Sequence, residues 1–79
     1  MFVKVQFFKQ RNNGYGGMAY TYRSDIDLAP GDKVICPTAN DPEQRAMVVQ
    51  TNVPEPDPSQ EWVKRIRFVL RKEDGNAGV

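Results

Sequence analysis

The stretch Leu28-Ala29-Pro30-Gly31-Asp32-Lys33-Val34-Ile35-Cys36-Pro37 decides how this chain is read. Proline at position 30 presets φ, and glycine at 31 supplies the positive φ that the third residue of a type II turn requires. Pro30-Gly31 therefore ends a connection that starts at Ser24. Lys33 to Pro37, which follows, is short, apolar and closed by a second proline, the mark of a brief strand bounded by turns.

Working outward from it, the same grammar repeats. Phe2 to Phe8 alternates, with Val3, Val5 and Phe7 on one face and Lys4 and Gln6 on the other, where Phe2 and Phe8 also fall. Period two over such a Val- and Phe-rich run predicts a strand. Met18 to Arg23 is the second strand, with Tyr20 and Tyr22 on one face and Ala19, Thr21 and Arg23 on the other. Between these two, the polar, glycine-rich Lys9 to Gly17 reads as a hairpin loop with Tyr15 near its tip. On the C-terminal side, Thr38 to Arg45 is a turn and Ala46 to Val53 the fourth strand. Pro54, Pro56 and Pro58 remove three ladder donors, so Pro54 to Gln60 is an exposed, extended loop. Glu61 to Leu70 is expected to be the fifth strand, with Trp62, Ile66, Phe68 and Leu70 on one side and Arg65 and Arg67 on the other. Alternation and β-branched content favour a strand over a helix there. Residues 73–79 are expected to form a flexible tail, leaving 1–72 as a single β domain. Five short strands predict an all-β fold: a small five-stranded barrel or a strongly curled antiparallel sheet, either of which limits exposed strand edges.

Composition narrows the chemistry. In a chain of 79 residues a core supplies only ~3–5 kcal/mol net without added staples. The single cysteine, Cys36, has no internal disulfide partner, and histidine is absent. The commonest general base and metal ligand is thus missing, and neither a cofactor nor a metal is expected. Cys36 shares the parity of Val34 and is expected to point inward, where thiols are inert. Asp25 and Asp27 are the one carboxylate pair that could serve as acid and base, but they lie in a loop beside a turn, where carboxylates are solvated or capping. The expectation is a binding protein and not an enzyme. A free thiol, the absence of a signal-like h-region after Met1, and no apolar run near the ~18 residues a membrane helix needs point to a cytoplasmic protein with no membrane partner.

Charge is unevenly spread. Residues 1–23 carry Lys4, Lys9, Arg11 and Arg23 and no acid, whereas residues 24–61 set Lys33 and Arg45 against eight carboxylates. Residues 62–79 are basic again through Lys64, Arg65, Arg67, Arg71 and Lys72. If the fold unites the first and last strands, it makes a positive surface that the net charge of +1 hides. The competing reading is that these are solvated strand faces.

Tyr20 to Leu70 resembles the N-terminal DNA-binding domain of primosomal protein N′, the replication-restart helicase. Tyr20-Thr21-Tyr22 stands where that family has an aromatic, an acid and an aromatic. Leu28 to Val34 is similar to its hydrophobic-x-x-Gly-x-x-Val turn, and Val34-Ile35-Cys36-Pro37 to its Val-x-Val-Pro. Ala46-Met47-Val48-Val49 and Val63-Lys64-Arg65-Ile66 resemble its two remaining strand motifs. The resemblance implies capture of the 3′ end of a DNA strand, in a pocket here made by Tyr20, Thr21, Tyr22, the Thr38-Ala39 turn and Lys64. Thr21 replaces the family's acid and Ala39 its glycine.

Two functions from different classes follow as expectations. One is a free-standing module for single-stranded DNA or DNA ends, in replication, recombination or a phage or mobile-element setting. Lys4, Arg23, Arg65 and Arg67 would contact phosphates, with Tyr20, Tyr22 or Tyr15 stacking on bases. Tyr20 and Tyr22 could instead be core aromatics with hydroxyls at the rim, and Trp62 a packing anchor. The other is a protein-interaction or inhibitor module whose acidic middle docks on a basic replication or host protein. A homo-oligomeric structural subunit is a third, lower-ranked reading.

Overall fold

Alternation in the first strand fixes the centre of the sheet. Val3 and Val5 are wholly buried in β1 (Phe2–Lys9), which has a partner on each side. These partners are β2 (Gly14–Arg23) and β4 (Gln44–Val53). The computed structural model describes residues 1–73. It completes the sheet with β3 (Lys33–Cys36) and a two-residue β5 (Arg71–Lys72), in the order β2-β1-β4-β3-β5 with every pairing antiparallel. The expected all-β class and five-stranded antiparallel sheet are thus observed.

Register explains the core. Val3 lies opposite Tyr22, Val5 opposite both Tyr20 and Val48, and Val34 opposite Ala46. All of these except Tyr20, together with Cys36 and Val69, bury one face of the sheet, and Phe7 and Leu28 pack against it. Burying an aliphatic side chain of this size contributes roughly 1.5–3 kcal/mol, so a few valines carry most of the apolar driving force. The turn at Ala29-Pro30-Gly31-Asp32 forms as the sequence predicts: Gly31 has φ 97°, and the Asp32 N–H donates to the Ala29 carbonyl at 3.0 Å.

Three expectations are corrected. The hairpin loop between the first two strands is far shorter than Lys9 to Gly17. Strand pairing continues through Phe8↔Tyr15 to Lys9↔Gly14, and only a 3-10 turn (Gln10–Asn12) and Asn13, at φ 50°, make the reversal. The glycines expected in the loop lie inside β2. They sit beside a bulge where the register jumps from Val5↔Tyr20 to Phe7↔Gly16, and the Gln6 side-chain amide donates to the Gly17 carbonyl at 2.9 Å across it. Tyr15 is accordingly half-buried, with its ring edge-on to Phe8 at 5.3 Å between centroids.

The second correction concerns Glu61 to Leu70, which is not a strand. Glu61–Arg65 is a 3-10 helix that buries Val63, and residues 66–70 run extended. A turn precedes it: the Gln60 N–H donates to the Asp57 carbonyl and the Ser59 N–H to the Asp57 carboxylate. Asp-Pro-Ser-Gln is good type I turn chemistry, and Gln60, extended at φ −76° and ψ 135°, separates that turn from the 3-10 helix that starts at Glu61. The alternation of residues 62–70 is real only for the second half, where Val69 is buried between exposed Phe68 and Leu70.

Third, the sheet is not closed into a barrel. Its outer strands, β2 and β5, share no ladder. A single parallel bridge, Arg23↔Phe68, spans the gap, with the Arg23 N–H donating to the Arg67 carbonyl at 2.9 Å and the Val69 N–H to the Arg23 carbonyl at 2.8 Å. The expected tail begins at Glu73, which is itself held: its N–H donates to the Lys33 carbonyl, and its carboxylate accepts from Arg45 at 2.7 Å. The rest of that tail lies outside the described residues. No helix among the described residues is long and apolar enough to cross a membrane.

Candidate functional site

Where β2 and the far end of the sheet fail to meet, a cleft of about 810 Å³ opens. One wall is β2 from Ala19 to Tyr22, backed by Phe7 to Lys9. The facing wall is the turn after β3, Thr38 to Asp41, and the floor and rim are Trp62, Arg65, Ile66 and Arg67. The incomplete closure of the sheet is therefore what creates the site.

Each wall has a local cause. The Thr38–Asp41 turn is knotted by one threonine. Its N–H donates to the Asp41 carbonyl at 2.7 Å, while its hydroxyl accepts from the Asp41 N–H at 2.9 Å and the Asn40 N–H at 3.3 Å. That hydroxyl is committed to the turn. Tyr22 ties the turn to β2, because its hydroxyl donates to the Pro37 carbonyl at 2.6 Å. Burial pushes the Tyr22 phenol up to about 12, helped by Cys36 and opposed by the nearby Arg67 charge. Tyr22 is thus a buried strut. Tyr20, two residues earlier on the same face, is 47% exposed and leans on Phe7 at 5.6 Å between centroids.

The main chain of β2 adds polar groups. Ser24 and Met1 exchange backbone hydrogen bonds, and Arg23 turns its N–H and carbonyl away from β1, toward residues 67–69. Antiparallel pairing alternates, so Thr21 turns its N–H and carbonyl the same way, off the free edge and into the cleft. Its side chain lies on the opposite face, beside Lys4.

Seven of the ten sequence-expected site residues line this cleft: Tyr20, Thr21, Tyr22, Thr38, Ala39, Arg65 and Arg67. Lys4 and Arg23 do not. Strand parity places both on the outer face, where the Arg23 guanidinium stacks 5.1 Å from the Phe2 ring centroid. Lys64 is exposed on the 3-10 helix and is not part of the lining. The expected separation of Trp62 from Arg65 and Arg67 fails, because the helical turn brings all three to one cleft. Trp62, 53% exposed, is an aromatic wall that the sequence assigned to packing. The nearest signal in the sequence is the Asp57-Pro58-Ser59-Gln60 turn, which marks the start of a new element at Glu61 without distinguishing a strand from a helical turn.

Electrostatically the lining sets Lys9, Arg65 and Arg67 against Asp41 alone. Arg65 also lies 3.6 Å from Glu61, but both side chains are more than 70% exposed and the pair is weak. Cys36 is fully buried, its thiol pushed up to about 12 by burial, and it takes no part in the cleft. Among the described residues no group of three or more His, Cys, Asp or Glu is placed to hold a metal ion. Compared with family models, curated proteins and solved structures, the chain returns no match.

Proposed function

We propose that this protein is a nucleic-acid-binding module that takes bases of a single strand or strand end into the cleft beside β2. The observation that carries the reading is the convergence, on one open cleft, of two half-exposed aromatic rings, Tyr20 and Trp62, with three cations, Lys9, Arg65 and Arg67. Aromatic platforms and a positive rim are the two parts of sequence-tolerant single-strand recognition; stacking contributes ~1–3 kcal/mol per base. Several motif positions of the resemblance to the primosomal protein N′ domain, Tyr20 to Tyr22 and Thr38-Ala39, fall on this cleft. A DNA-end function in replication, recombination or a mobile element is the corresponding cellular reading, and the module acts by binding without catalysis.

Fluorescence anisotropy with a labelled single strand at ~50 mM salt tests it, because phosphate contacts are strongest at low ionic strength. Binding should weaken as salt rises, and Trp62→Ala should weaken it by roughly 5- to 150-fold, the equivalent of removing one stacking platform. Absence of binding to single-stranded and 3′-recessed probes alike would overturn the proposal.

A further inference from the structure

Two of the four cations expected to contact phosphates lie outside the cleft. Lys4 and Arg23 sit on the outer face of the sheet, Lys4 opposite Thr21 and Arg23 opposite Phe2, so they are diagonal neighbours along the β1–β2 pair. Neither has a carboxylate within 4.0 Å among the described residues, unlike Arg45, Arg71 and Lys72, which pair with Glu73, Glu43 and Asp32. Arg23 lies over the Phe2 ring at 5.1 Å, which presents a flat guanidinium on an aromatic base. Arg23 lies on β2, the strand that carries Tyr20 on its core face, and Lys4 lies one strand further in, on β1. Over Ala19 to Thr21 that strand has a free edge, since its bridge to residues 67–69 is confined to Arg23.

We infer that a single strand held in the cleft crosses the free edge of β2 and continues over the outer face, with its phosphates on Lys4 and Arg23. The path is continuous. The bases end between Tyr20 and Trp62, the backbone passes the outward-facing N–H of Thr21 at the edge, and the next phosphates meet two cations that no acid neutralises. Charge complementarity selects the occupant, because Lys4 and Arg23 lie just past an edge that offers both an N–H and a carbonyl, and two positive side chains favour a polyanion there. The site then has two parts: the cleft takes the end of the strand, and the outer row takes its backbone.

This rests on the cleft reading, and the experiment separates the two. Two oligothymidylates are compared, one of about 3 nucleotides that fills only the cleft and one of about 12, within the ~4–16 nucleotide range of small single-strand-binding domains. Lys4→Gln/Arg23→Gln should leave the short probe's affinity within twofold of wild type. It should lower the long probe's log–log salt slope by about 1.4, near 0.7 for each single-strand phosphate that is no longer neutralised. Lys4→Glu, which keeps the Arg23–Phe2 stack, should weaken the long probe and spare the short one. An unchanged salt slope for the long probe, or equal losses for both lengths, overturns the outer path and leaves the cleft standing. Failure of both probes to bind the wild-type protein overturns both.

Discussion

Tyr22 joins structure and chemistry in one side chain. Its ring fills the core opposite Val3, its edge meets Phe7 at 6.0 Å, and its hydroxyl holds the far wall of the cleft through Pro37. Because burial raises Tyr22 from 10.0 to about 12 and Cys36 from 9.0 to about 12, the fold favours the neutral form of each. Their contribution to stability is fully present below pH 9 and is lost as pH rises toward about 12, since the unfolded chain can ionise first. Urea denaturation across pH 8 to ~11.5 should therefore show falling stability, and Cys36→Ala with Tyr22→Phe should flatten that limb. At neutral pH Tyr22→Phe leaves the Pro37 carbonyl without its donor, a cost of about 1 kcal/mol. A flat alkaline profile in the wild type would contradict the burial of both groups. At this scale the sequence was half legible. Parity gave the inward direction of Cys36 and the shared face of Tyr20 and Tyr22, but both tyrosines looked alike. What separates strut from platform is the Pro37 carbonyl, which reaches only Tyr22, and which depends on how far the sheet curls.

Among the elements, β2 owes its shape to one glycine. Gly17 has φ 84° beside the bulge that Gln6 pins, whereas a Cβ at Gly16 would meet nothing within 4 Å. Gly17→Ala should cost roughly 1–2 kcal/mol, the penalty of forcing an L-residue into the left-handed region. Gly16→Ala should be near neutral or slightly stabilising through the unfolded state. Thermal melts of the pair check this, and equal effects would mean that backbone sign is not what distinguishes them. The glycine run in Asn12 to Gly17 suggested a loop because glycine marks both loops and bulges, and spacing alone does not separate the two. The last segment failed for the opposite reason. Trp62 to Leu70 has apolar alternation good enough for a strand, yet Glu61–Arg65 winds as a 3-10 helix around buried Val63, which the alternation does not report. The strands with unbroken Val-rich patterns, β1, β3 and β4, were readable because burial on one face leaves their register little choice.

For the molecule as a whole, the short last strand is fastened by ion pairs: Arg45–Glu73 and Arg71–Glu43 at 2.7 Å, and Lys72–Asp32 at 3.5 Å. Asp32 also accepts the Ala29 N–H at 2.9 Å, and that hydrogen bond, followed by the Lys72 charge, draws its carboxyl below the ordinary 3.8. A lowered folded value means that the carboxylate supports the fold above pH 3.8, and the support disappears as pH falls through the folded value. Acid denaturation should accordingly show a limb below about pH 4 that Asp32→Asn shifts and shallows, while the neutral-pH core protection of Val5 and Val48 persists. Identical acid midpoints would remove Asp32 from that account. The joining of a basic first strand to a basic last segment, legible as a charge pattern, is realised in the cleft by Lys9 with Arg65 and Arg67. The allocation of cations between cleft and outer face was not legible, because it follows from where the sheet stops.

The single bridge between Arg23 and Phe68 has one more consequence. It makes the molecule a clasp: a rigid four-strand ladder with a short strap laid across its mouth. Releasing the strap sacrifices two main-chain hydrogen bonds and the cover of Val69, and leaves the pairings of β1, β3 and β4 in place. Substitutions in the strap that spare Val69, whose side chain belongs to the core, should therefore change the width of the mouth and leave the ladder pairings intact.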